Sequence, residues 1–343
     1  MKKYTLFFLF CTLMTACPKL WQQSSANFSI DEPSLKKDLE VFTASPHPFG
    51  SDRQKFLSKY ILDRALSYSP KSEIQPFTVD VPNPSLLGVV PSAVGMRSLT
   101  HRKNGWNIYS FAELSKKNDC VIILGSHYDT KIVPGIEYVG ANDSGSSSAL
   151  LIQMLRFLKE EKKPAGSDCE LLVVWFDGEE AILDGWDDGE DRHPAKVTDN
   201  TYGSRHFVSH ATEPCVKGRC LTSALGGHWI KAFLLVDMIG SPNLKFSDDQ
   251  NSDETLRAML RQILRDRGLK HMISTTSRQV ADDHIPFKRV GIPSLNIIDF
   301  ENLDFWHRRG DELSNLSFKN IELSGSLVYE IFSRLAESPK PIR

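Results

Sequence analysis

Apolar residues along this chain follow two rhythms. Val121–Ser126, Leu171–Phe176, Ala232–Met238 and Ser294–Ile298 are short, nearly unbroken apolar runs. They are too short and too β-branched for helices and read as strands buried on both faces. Between and around them the spacing lengthens to that of amphipathic helices: Ser144–Lys159, Tyr202–His210, Glu254–Leu264 and the closing Phe318–Leu335. In the first of these, Leu150, Leu151, Met154, Leu155 and Leu158 form one stripe. Upstream, Pro33–Ala44 and Gln54–Leu66 read as helices, the second with Phe56, Leu57, Tyr60, Ile61 and Ala65 on its apolar face. Ile74–Val81 and Trp106–Ala112 read as strands, and Pro76 marks the former as an edge. Residues 82–100 and the acidic stretch 182–201 carry no period and read as loops, the second long enough to point to function. Strands alternating with helices predict an α/β fold: one domain over residues 33–343, built on a central, mostly parallel mixed sheet with helices on both faces.

Composition narrows this picture only slightly. The 343 residues are 41% hydrophobic and carry a net charge of -2. A large core is affordable, and there is no basic footprint for a nucleic-acid partner. After the N-terminus no run is apolar and long enough to span a membrane.

The first residues change the expected setting. Lys2 and Lys3 precede a short apolar stretch, Leu6–Leu13, as in an export signal over residues 1–17. Met14-Thr15-Ala16-Cys17 resembles the lipobox of bacterial lipoproteins, implying a membrane tether through a lipidated Cys17. The expectation is therefore an exported, periplasmic or outer-surface protein, monomeric, with residues 18–32 as a polar tether. Export makes disulfides reasonable for Cys120, Cys169, Cys215 and Cys220. Of the three possible pairings the favoured one is 120–169 with 215–220. Cys120 and Cys169 precede two strands whose starts meet if they are parallel neighbours.

Candidate chemistry gathers where the strands end. Leu171–Phe176 runs into Asp177-Gly178-Glu179-Glu180, with Gly178 as the turn. Two adjacent glutamates at a strand end point apart, so one can ligate a metal while the other works as acid or base. Val121–Ser126 delivers His127 and Asp129, with Asp143 in a Gly-Ala-Asn-Asp-Ser-Gly turn soon after. Ala232–Met238 delivers Asp237, and Ser294–Ile298 leads on to Trp306 and His307. Carboxyl ends of strands in an open α/β sheet form one rim. Carboxylates crowded there repel one another unless a divalent cation neutralises them. Imidazole with carboxylates suits zinc. Asp129 and Asp177 read equally well as supports for ligands or as turn caps, and Asp283 as a helix N-terminal carboxylate.

These motifs resemble the zinc aminopeptidase family, and within it the glutaminyl-peptide cyclotransferases. The resemblance rests on WFDGEEA (175–181), YGSRH (202–206), DMIGSPN (237–243), DDHIPF (282–287) followed by VGIP, and Trp306-His307. It implies one zinc ion per chain, held by Asp143, Glu180 and His307, with Glu179 as general acid/base. Asp237 and Asp282 are implied as hydrogen-bonded carboxylates of the site, and Trp306, Trp186 and His127 as substrate-binding residues. The implied reaction cyclises the N-terminal glutamine of peptides or proteins to pyroglutamate and releases ammonia. The alternative is an exported two-zinc aminopeptidase. Ser126 stands where animal cyclases carry a cysteine, so their disulfide is not expected.

Overall fold

The four apolar runs do pair with one another, in parallel, at the centre of a mixed sheet. The computed structural model describes residues 28–90, 92, 98–113, 120–160, 167–215, 218–337 and 340–342. In chain order the elements are α1 (Glu32–Phe42), α2 (Asp52–Tyr68), β1 (Ser72–Pro82), β2 (Thr100–Phe111), β3 (Cys120–His127), α3 (Ser147–Glu160), β4 (Cys169–Phe176), α4 (Asp188–Asp191), α5 (Tyr202–Ala211), β5 (Thr212–Cys215), β6 (Gly218–Leu221), β7 (Trp229–Asp237), β8 (Phe246–Asp249), α6 (Glu254–Asp266), β9 (Ile273–Arg278), α7 (His284–Arg289), β10 (Ser294–Ile298) and α8 (Phe318–Ala336). The sheet runs β1-β2-β4-β3-β7-β6-β5, with β10 beside β7. β3 lies parallel to both β4 and β7, and β10 parallel to β7, while β1, β2, β5 and β6 join in antiparallel fashion.

Period-2 geometry sorts the central strands' side chains onto two layers. Ile122, Leu124, Leu171, Val173, Leu234 and Val236 pack with α1, α2, α3, α6 and α8. Val121, Ile123, Leu172, Val174, Phe233 and Leu235 pack with α5 and α7. Helices on both faces are thus what let these runs be apolar at every position.

Helix starts are chemically marked. The side chains of Asp31, Ser51, Asp253 and Ser317 each accept a backbone N–H in the first turn of α1, α2, α6 and α8. Among the described residues β1 pairs only with β2, so Pro76 does sit on an edge strand.

Several expectations need correction. β2 begins at Thr100 rather than Trp106; its polar first half pairs with β1 alone, while only Ile108–Phe111 pair with β4. Phe56 is half exposed, beneath the Arg53 guanidinium, because the buried face of α2 turns on Leu57 and Ile61. The expected export signal, Cys17 and residues 18–27 lie outside the described residues. The last part of the expected tether is packed instead: Phe28 is buried against Phe157, and Ile30 and Asp31 donate their amides to Glu322 and Gln153.

Cys120 and Cys169 face each other at the first register position of β3 and β4 and form a disulfide. It closes the end of the sheet opposite the acidic rim. Cys215 and Cys220 are free thiols. They sit diagonally on the β5–β6 hairpin, where Cys215 opposes Gly218 and Cys220 opposes Glu213. Their side chains meet across the hairpin, but as free thiols, so the expected 215–220 disulfide is not present.

Candidate metal centre and active site

Every strand-end acidic motif reaches the same rim. β3 ends on His127, β4 runs through Asp177 into Glu179 and Glu180, and β7 ends on Asp237. Gly178 takes φ +70°, and a Cβ there would meet Phe49 at 2.8 Å, so the turn that presents the glutamates excludes a side chain. Asp143 sits in a wide turn, Ala141–Ser146, just before α3. His307 arrives from the loop after β10 with φ +52°, a left-handed conformation uncommon outside glycine.

Two donor sets converge there and share Asp143. Asp143, Glu180 and His307 form one, and His127, Asp143 and Asp237 the other, each with its donor atoms within 4.8 Å of one another. His307 Nε2 lies 3.0 Å from Glu180 Oε1 and 3.4 Å from Asp143 Oδ2. His127 Nε2 lies 3.2 Å from Asp143 Oδ1, 3.4 Å from Asp237 Oδ1 and 4.0 Å from Glu179 Oε2. Ligands about 2.0–2.1 Å from one tetrahedral ion stand roughly 3.3 Å apart, so both sets fit a zinc-sized cation. The mixed imidazole and carboxylate donors are those zinc accepts.

Burial shapes the charges. Burial is the chief cause that pushes the Glu179 carboxyl well above its usual range; His127 opposes the shift, and Asp282 and Glu180 add to it. Burial likewise raises Asp237 to about 6 and Asp282 to about 7, with neighbouring acids contributing to both. For His307 burial works downward, but Glu180 and Asp143 outweigh it and carry the imidazole up to about 10.

The sheet end also fixes the backbone that presents the glutamates. Asp129 Oδ1 and Oδ2 accept the amides of Glu179 and Glu180. The Lys131 ammonium donates to the carbonyls of Ala181 and Leu183, both at 2.7 Å, and Asp199 accepts the amides of Ile182 and Leu183. Asp177 instead accepts the Trp106 amide at 2.7 Å, tying β4 to β2. Asp282 is held by its own neighbour's amide and by Asn296 Nδ2 at 3.0 Å.

The sequence-predicted residues separate into two groups. His127, Asp143, Glu179, Glu180, Asp237 and His307 come together directly, with Asp282 close enough to raise the Glu179 carboxyl. The two tryptophans line different clefts. Trp306, partly exposed and stacked on His307 at 4.2 Å, lines a cleft with Asp143, whereas Trp186 lines a second cleft with Asp282. Asp283 stands at the N-cap position of α7, but its side chain makes no capping hydrogen bond and its carboxylate accepts the Ser204 hydroxyl in the interior. Sequence reasoning missed Lys131, Tyr138, Asn296 and Asp311. Lys131 and Asp311 lie within four residues of motif histidines, which is the only trace they leave.

The chain matches the model of "Peptidase family M28" over residues 110–332. It is 30% identical over 237 residues to the glutaminyl-peptide cyclotransferase of Dictyostelium discoideum, covering 65% of this chain and 62% of that protein. It is 31% identical over 226 residues to the one of Bothrops jararaca, covering 59% and 58%. The chain thus spans less than two thirds of these curated relatives' length. Among solved structures it is similar to an Acidobacteriales bacterium glutaminyl cyclase, with 28% identity, a TM-score of 0.71, and coverage of 94% of this chain and 99% of that one.

Proposed function

Because this chain belongs to peptidase family M28, with the rim of donors and carboxylates described above, we propose that it is a zinc-dependent glutaminyl-peptide cyclotransferase acting on peptides or proteins with an N-terminal glutamine. The observation that carries the reading is the likeness to a bacterial glutaminyl cyclase along nearly the whole of both chains. Asp143, Glu180 and His307 would hold the ion. Bound there, zinc supplies Lewis acidity to the glutamine γ-carbonyl.

The remaining work falls to the chain's own groups. The α-amine attacks the γ-carbon of the same residue, so the site needs mainly to hold a folded-back conformer. Glu179, whose carboxyl burial raises well above its usual range, takes the proton from the α-amine as the new C–N bond forms. It returns that proton to the departing amide nitrogen as the old C–N bond breaks, giving pyroglutamate and ammonia. Asp282, anchored by Asn296, and Asp237 stand as acceptors for substrate N–H groups. Trp306 and Trp186 provide apolar walls in two clefts, one with Asp143 and the other with Asp282. As an imidazolium, His127 would neutralise Asp237 and the far oxygen of Asp143 without a second metal.

The second reading, a two-zinc aminopeptidase, draws on one observation: His127, Asp143 and Asp237 also converge at ligand spacing. In it Glu179 would deprotonate a water nucleophile. The two readings part in one experiment. Purified protein is incubated with a glutaminyl dipeptide and with an aminoacyl amide, and its zinc is counted. Ammonia from the dipeptide without free amino acid, and about one zinc per chain, supports the cyclase; free amino acid with about two zincs supports the peptidase. Residues 1–17 fit an export signal on their pattern, with lipidation of Cys17 as part of the same proposal.

A further inference from the structure

Two candidate ligands come from separate loops, and a tyrosine and an aspartate outside every motif join those loops. The Tyr138 hydroxyl donates toward Asp143 Oδ2 at 2.9 Å and Asp311 Oδ2 at 3.0 Å. Its ring meets the His307 imidazole edge-on, with centroids 5.7 Å apart. Tyr138 therefore touches two of the three residues in the Asp143, Glu180, His307 set. Asp311 accepts the Asn142 amide at 2.6 Å and the Asp143 amide at 3.2 Å through its carboxylate, and the Ala141 amide at 3.2 Å through its carbonyl. Tyr138, Asp143 and Asp311 are all at most 4% exposed.

We propose that Tyr138 and Asp311 form a latch that positions Asp143 and His307 as ligands of one ion, an inference that rests on the metal reading above. His307 holds a positive φ, a conformation that persists only where the surroundings fix it. The loop that carries it is anchored four residues later by Asp311. The latch also discriminates between the oxygens of Asp143. Oδ1 faces His127, while Oδ2 faces His307 and is the one Tyr138 engages. A donor on the outer shell of a ligand fixes its orientation, and loss of such a partner typically costs 10–100-fold in metal affinity. Tyr138 and Asp311 are positioning residues: they act through Asp143 and His307 and not on substrate.

The test measures zinc dissociation constants by competition with a chromophoric chelator for the unaltered protein, Tyr138→Phe, Asp311→Asn and a control, Tyr329→Phe, whose hydroxyl lies elsewhere in the core. The melting temperature of each metal-free form is measured alongside. Tyr138→Phe keeps the ring on His307 and removes only the hydroxyl, so it serves even if Asp311→Asn folds poorly. The expected result is about tenfold weaker zinc binding for Tyr138→Phe and 10–100-fold for Asp311→Asn, with Tyr329→Phe unchanged. Unchanged zinc affinity in Tyr138→Phe, with or without a lower melting temperature, overturns the latch while leaving the metal reading intact. An unaltered protein that binds no zinc overturns both.

Discussion

Asp129 holds Glu179 by its backbone: Oδ1 accepts the Glu179 amide at 2.9 Å, and Oδ2 accepts the Glu180 amide at 3.3 Å. One buried carboxylate thereby sets both the acid/base candidate and a metal-ligand candidate, and it also lies 3.6 Å from His127 Nδ1. Asp129→Asn should lower turnover at least tenfold and destabilise the fold by about 1–3 kcal/mol, since one amide loses a charged acceptor. Steady-state kinetics and urea denaturation check the two parts; wild-type values in both would remove Asp129 from the account.

Glu179→Gln removes the proposed proton carrier and leaves all three proposed zinc ligands in place. Turnover should fall by about 10²-fold or more with zinc content unchanged. Near-normal ammonia release from a glutaminyl dipeptide would show that another group moves the proton.

The two donor sets separate by mutation. His307→Ala should lose zinc and activity together, whereas His127→Ala should keep about one zinc per chain. Metal analysis decides: loss of a zinc in His127→Ala shows that the second set binds metal and favours the peptidase. Chelation should abolish activity, and added zinc should restore it.

His47 gives a pH dependence through a buried imidazole that belongs to neither donor set. Burial is the main cause that pushes its imidazole down to about 4. A depressed histidine contributes stability that is present above its unfolded value near 6.5 and lost as pH falls through about 4. The stability advantage of the unaltered protein over His47→Gln should therefore shrink by on the order of 3 kcal/mol between pH 7 and pH 4. Denaturant titrations at several pH values measure it, and a flat difference contradicts the buried neutral state.

The Cys120–Cys169 disulfide spans 49 residues of sequence. Replacing both cysteines with serine should cost about 4 kcal/mol by the chain-entropy relation. Turnover at temperatures where the variant stays folded should be unchanged, because the bond lies at the far end of β3 and β4 from His127 and Glu179. A kinetic effect there would link the two ends of the sheet.

Most of the scaffold was legible because its strongest signals are local. The four central runs became β3, β4, β7 and β10, and β10 matches Ser294–Ile298 residue for residue. What escaped were elements whose residues do not announce them. The Thr100–Gly105 half of β2 is polar because it lies outside the main core and pairs only with β1. β8 and β9 form a small parallel pair of their own, and α7 is six residues long, too short for a period. The Cys215–Cys220 spacing did bring the two side chains into contact across the hairpin, but as free thiols rather than as a disulfide.

By itself the sequence determined the layered fold, the strand ends that carry the chemistry, and the identity of the charged residues, since alternation and motif spacing are properties of neighbours along the chain. Only the tertiary structure decided which carboxylate faces which imidazole. It showed that Asp143 turns one oxygen to His127 and the other to His307. It put Trp186 and Trp306 in different clefts. It drew Tyr138 and Asp311, 173 positions apart, onto a shared contact. Such contacts depend on where loops from different strands cross, and burial then sets their charge, which no local pattern of residues encodes.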